Sequence, residues 1–169
     1  MRALFAAALL LLSASPAVAQ VPFNPAAPEN RQVMPAFSYE TVETVLRQIN
    51  ARFERRGTAE RPALEVTFPN GRRAAIVLGS CERQGAACKA LSIQAVWPRP
   101  TAVPAERLAA NIRRFNQRFA YSSAYVTTEG AAAMRRYLTA DFGFLRGDLA
   151  VNLLVFANMA ARFHTEVLR

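Results

Sequence analysis

Apolar side chains recur at steps of three and four in three parts of the chain, and at every second residue in most of the segments between them. Tyr39, Val42, Leu46, Ile49 and Phe53 trace one face of a helix. Ser38 suits its N-cap and Glu40 its first turn. On this reading Arg52, Arg55 and Arg56 fall in the last turn, matched to the helix dipole, and Gly57 takes the left-handed position beyond it. Three strands follow, at residues 63–68, 73–79 and 89–97, the first two joined by the hairpin turn Pro69-Asn70-Gly71. Pro104 suits a helix start, and Leu108, Ile112, Phe115 and Phe119 continue it as a stripe. Residues 119–127 read as a strand. In residues 132–142 Ala, Met and Arg favour a helix, but the short turn before them favours a return strand, and strand is the reading taken. Asp148 then serves as N-cap of a last helix, with Leu149, Leu153, Phe156, Ala160, Phe163 and Val167 in line. Leu154, Val155 and Ala157 widen that face, so the helix is expected in the core or against a partner.

The order is α-β-β-β-α-β-β-α, which predicts an α+β fold with an antiparallel sheet packed by helices. Two segments precede it. Arg2, the apolar run of residues 3–12 and Ala17-Val18-Ala19 form a secretory leader, cut after Ala19. The apolar run is too short for a membrane span, which needs about twenty residues. Residues 20–37 carry four prolines without periodicity and read as a loosely held arm, with Phe37 the one residue expected to dock on the domain. The domain is residues 38–169, long enough to bury its own core. Export places the expected site of action in the periplasm or outside the cell.

An oxidising compartment changes the meaning of the two cysteines. Cys81 and Cys88 lie too far apart for a C-x-x-C redox motif, and with His164 as the one histidine they are too few for a zinc site. They read as a structural disulfide closing a hairpin tip, worth about 2.5 kcal/mol at most. The formal charge of +9 favours acidic partners, with an anionic envelope surface of lipid or glycan among them. Nucleic acid is a poor match for an exported chain. Arg113, Arg114, Arg118, Arg135 and Arg136 are the candidate basic patch, weighed against arginines merely scattered on a solvated surface. Asp141 and His164 are the candidates for acid–base chemistry in a small hydrolase, but each lacks a partner at useful spacing; Glu166 falls on another side of the helix from His164. Trp97, at a strand end before Pro98, reads as a plug at the core edge. No phosphate-cradling glycine run and no nucleophile motif occurs, so no catalytic residue, cofactor or metal is expected.

Four short motifs, in order, resemble the YbjN family, described as bacterial sensory transduction regulators. They are Cys81 to Cys88 running into Leu91-Ser-Ile93; Phe115-Asn116 with Arg118-Phe119-Ala120; Ala124-Tyr125-Val126 before Gly130; and Asp141 with Gly147. Ser80 stands where that family often has an acid, and Arg135 and Arg136 lie in a strand that is usually more acidic there. The resemblance implies a fold similar to type III secretion chaperones and a regulatory role through binding a protein or peptide. It also admits a homodimer, and it implies no catalytic residues.

Overall fold

The computed structural model describes residues 23–83 and 85–169. The expected leader, residues 1–19, lies outside them.

Ser38 caps the first helix. Its Oγ accepts from the Thr41 N–H at 3.1 Å while Thr41 Oγ1 accepts from the Ser38 N–H at 2.9 Å, a reciprocal capping box. Helix α1, Tyr39–Gln48, buries Val42, Val45 and Leu46. It ends sooner than its periodicity predicts. Asn50 takes left-handed backbone at φ 57°, which Asn tolerates better than most residues. The Ala51 N–H then bonds the Leu46 carbonyl and the Asn50 N–H bonds that of Arg47, the paired bonds of a Schellman end. Arg52, Arg55, Arg56 and Gly57 are therefore not in a helix. They belong to an edge strand, β2, Arg52–Gly57. Phe53 fits both patterns: it lies four residues past Ile49, and as a strand residue it faces Val66 and packs on the core.

Strands β3 (Pro62–Thr67), β4 (Arg73–Arg83) and β5 (Ala86–Trp97) form an antiparallel meander. Gly71, φ 77°, supplies the left-handed turn between β3 and β4. Helix α2, Ala105–Arg118, follows. Strands β6 (Ser123–Val126) and β7 (Ala132–Thr139) complete a sheet of order β2-β3-β4-β5-β7-β6. The ambiguous segment is thus a strand, held by eight register pairs with β5 from Ala90↔Thr139 to Trp97↔Ala132. Strand pairing overrides the helix propensity of Ala and Met. A two-residue strand, Phe144–Leu145, precedes the long helix α3, Arg146–Glu166.

Alternation puts Leu64, Val66, Ile76, Leu78, Leu91, Ile93, Met134 and Leu138 on one face of the sheet. The apolar stripes of all three helices join them in one core, with Phe156 and Phe163 of α3 fully buried. The fold is α+β, with three strands more than the sequence pattern predicts: β2 in the main sheet and the two short strands Val33–Met34 and Phe144–Leu145.

The proline-rich segment is held more firmly than its composition suggests. Residues Pro28–Arg31 make a 3-10 turn, and Val33–Met34 pairs antiparallel with Phe144–Leu145. These two short strands are β1 and β8. Asn30 is buried and its Oδ1 accepts from Gln48 Nε2 at 2.7 Å. The Gln32 carbonyl accepts the Arg146 N–H at 3.0 Å. That contact displaces the expected cap: α3 starts at Arg146 with Leu145 at the cap position, and Asp148 sits inside the first turn. No helix of the described residues is long and apolar enough to cross a membrane.

Candidate functional site

With the helices on one face, the other face of the sheet is left open. The register builds it in rows. Arg56, Ala63, Val77, Ser92 and Tyr137 follow one another across β2, β3, β4, β5 and β7. The next row is Glu54, Glu65, Ala75, Gln94, Arg135 and Ser123. Short side chains in the middle and long ones at the flanks leave a shallow groove of about 640 Å³ over Ala63, Ala75, Gln94 and Val96. Val96 is 60% exposed and Tyr137 57%. Both stand on the solvated face, Val96 on β5 and Tyr137 on β7.

The groove has a charged flank. Glu54 and Glu65 face each other directly across β2 and β3, a repulsive pairing. Arg56 bridges both, at 2.8 Å to Glu54 and 3.6 Å to Glu65, and Arg73 also pairs with Glu65. These exposed pairs are individually weak. Together they neutralise the repulsion and line β2 with charge, which discourages strand addition at that edge.

Behind the edge, on the other side of β2, Glu43 of α1 is nearly buried and pairs with Arg47 and Arg55. The Arg55 guanidinium also lies 4.5 Å from the Tyr39 ring. Its hydrogen bond to Glu43 holds its pKa above the usual arginine value.

The candidate arginines do not share one surface. Arg135 lies on the open face, whereas Arg136 beside it in sequence points to the helix side. There its guanidinium stacks on Tyr121 at 4.3 Å and donates to the Tyr121 carbonyl. The Tyr121 hydroxyl donates to Asn152 O at 2.7 Å, and burial pushes its pKa up to about 12 against the opposing pull of Arg136. Arg118 pairs with Glu166 at 3.0 Å and lies over Phe119. Arg113 and Arg114 are exposed on α2. Asp141 is exposed in the turn after β7 and pairs with neither Arg136 nor Arg146. That turn leads into the start of α3, while His164 lies near its other end, about 27 Å along the helix axis. The two do not meet as an acid–base pair. Trp97 is half-buried with its ring 4.9 Å from Phe163, at the rim of both the core and the groove.

Cys81 and Cys88 are bonded and directly opposite each other in β4 and β5. Of the open-face residues, the sequence analysis singled out Arg135. The signal for those on β3 to β5 was the alternation of the strands, and for Glu54 and Arg56 it is readable only once Arg52–Gly57 is recognised as a strand.

A family model for YbjN, "Putative bacterial sensory transduction regulator", matches residues 38–169. The chain belongs to the YbjN family. The match starts at the Ser38 cap, so the YbjN unit comprises all three helices and the six-stranded sheet, and the docked arm precedes it. No curated protein matches the chain. The family description concerns regulation and names no reaction or ligand.

Proposed function

We propose that this YbjN protein is an exported, non-enzymatic module that binds a protein or peptide partner and acts as a regulator in the bacterial cell envelope. The observation that carries the reading is the open sheet face, where Val96 lines the Ala63–Ala75 groove and Tyr137 stands exposed on β7, on the far side of β5. The family description supports the regulatory part. The leader-like first residues and the disulfide support export.

The test is site-specific photo-crosslinking in envelope preparations, with the reactive group at Val96 or Tyr137 and, as control, at Arg162 on the helix side. The same adduct is expected from both open-face positions and not from the control. The Val96→Glu/Tyr137→Glu variant should lose it while unfolding within about 0.5 kcal/mol of the parent, as surface changes do. An adduct indifferent to this variant, or formed equally from Arg162, would exclude the open face. Light scattering on the mature protein identifies a homodimer if the adduct is a second copy.

A second reading rests on the charge of +9 and on Arg113 and Arg114, exposed on α2 and absent from the ion pairs among the described residues. It is attraction to an anionic lipid or glycan surface. Co-sedimentation with phosphatidylglycerol vesicles should then weaken steeply between low and physiological salt. Salt-independent binding excludes it.

A further inference from the structure

The tip of the β4–β5 hairpin has a feature that a plain staple does not need. Ser80 and Ala87, each next to one cysteine, lie in left-handed backbone at φ 50° and φ 51°. Residues other than glycine rarely adopt that region, and Ser and Ala have little to gain there. Neither stands at a free turn. Both are inside the ladder, between the pairs Gly79↔Ala90, Cys81↔Cys88 and Arg83↔Ala86. The disulfide is the covalent tie across this strained stretch.

The same tip is the dock for the chain that enters the domain. The Phe37 N–H bonds the Cys88 carbonyl and the Cys88 N–H bonds that of Phe37, both at 2.8 Å. The Tyr39 N–H bonds the Gly85 carbonyl at 2.9 Å. Gly85 lies so close that a Cβ there would meet the Tyr39 ring at 2.4 Å. From Phe37 the arm runs back through β1 to Gln32, whose carbonyl takes the first N–H of α3. The hairpin tip therefore anchors the arm, the start of α1 and, through the arm, the start of α3.

We propose that the Cys81–Cys88 disulfide is a redox-sensitive latch: its reduction relaxes the strained hairpin tip and undocks the arm, while the six-stranded sheet persists. The reductant is a dithiol. Its thiolate attacks the sulfur of Cys81, which is partly exposed, and Cys88, which is fully buried, leaves as a thiolate and takes up a proton. The second thiol of the reductant then attacks the mixed disulfide. It frees Cys81 as a thiol and closes the reductant into its own disulfide, so two electrons reach the protein. Ser80 and Ala87 can then return to extended backbone, and the pairing of Cys88 with Phe37 is lost.

The test is residue-resolved hydrogen exchange on the full oxidised chain, before and after dithiothreitol. The amides of Phe37, Tyr39 and Arg146 should exchange about tenfold faster after reduction, with those of Ile76 and Ile93 in the sheet unchanged. The Cys81→Ser/Cys88→Ser variant should match the reduced protein. Ser80→Gly/Ala87→Gly removes the strain but keeps the disulfide, so reduction should accelerate its arm amides far less. The proposal is overturned if arm exchange is the same in both redox states, or if Ile76 and Ile93 accelerate equally, which would make the bond a global staple. It is also overturned if the glycine pair leaves the redox response undiminished.

Discussion

His164 shows how neighbours decide the state of a single side chain. The last turn of a helix favours an imidazolium. Here burial acts against it, and Arg72 from the β3–β4 turn and Arg169 at the chain end add repulsion, so its pKa falls below the usual histidine value. Burial and the two arginines outweigh the helix end. The sign of the linkage follows. The unfolded chain binds a proton near pH 6.5 before the folded one does. Stability is fully present above that pH and is lost as the pH falls toward the lower, folded value. Chemical denaturation at pH 7.5 and at successively lower pH should therefore give a falling midpoint, and His164→Asn should flatten that part of the curve. Tyr121 is a second test at this scale. Its hydroxyl bonds both the carbonyl and Oδ1 of Asn152 from a half-buried position. Tyr121→Phe leaves those acceptors without their donor and should cost about 1 kcal/mol in urea unfolding. Neither environment was legible beforehand. Arg72 beside His164, and Arg136 and Asn152 around Tyr121, come from other elements of the chain, and spacing within one element says nothing of them.

At the scale of elements, the sequence was informative where a pattern was long. The apolar run from Leu149 to Val167 defined α3, and the alternation around Leu91 and Ile93 defined β5. It failed where two periods overlapped. Phe53 satisfies both a helix step from Ile49 and a strand position facing Val66, so the arginines after Gln48 were assigned to a helix end. The residue that decides is Asn50, whose left-handed backbone closes the Schellman bonds. A β-branched residue resists that region most. Asn50→Val should destabilise by about 1–2 kcal/mol, and Asn50→Gly by clearly less, in thermal or denaturant unfolding. Equal costs would mean that the side chain of Asn50, and not its backbone, sets the boundary. The cap of α3 failed for a different reason. A carbonyl from the arm accepts the N–H of Arg146, two residues ahead of Asp148, where the helix starts, and nothing local to Asp148 records it.

Across the whole molecule the open face illustrates what topology adds. The alternation in β3, β4 and β5 shows that each strand has two faces. Which face is bare depends on all three helices choosing the same side, a choice made between elements far apart in sequence. Charge belongs to this scale as well. The chain carries +9, and its ion pairs are largely at the surface, with Arg56, Arg73 and Arg118 all more than half exposed. Salt acts on these in opposite directions. It weakens the exposed pairs, each worth less than about 1 kcal/mol. It also screens the repulsion among unpaired arginines, which extends over about 10 Å at 0.1 M. Glu43, the best-shielded acid, loses least, because its pairs with Arg47 and Arg55 are partly out of water. Repulsion among the excess cations should therefore dominate, and the thermal midpoint should rise as sodium chloride is raised from about 0.01 M to 0.15 M. A midpoint that falls over that range would mean that the Arg56–Glu65–Arg73 flank contributes more to the fold than its exposure allows. The open face would then be a braced structural surface, with less freedom to exchange its ion pairs for those of a partner.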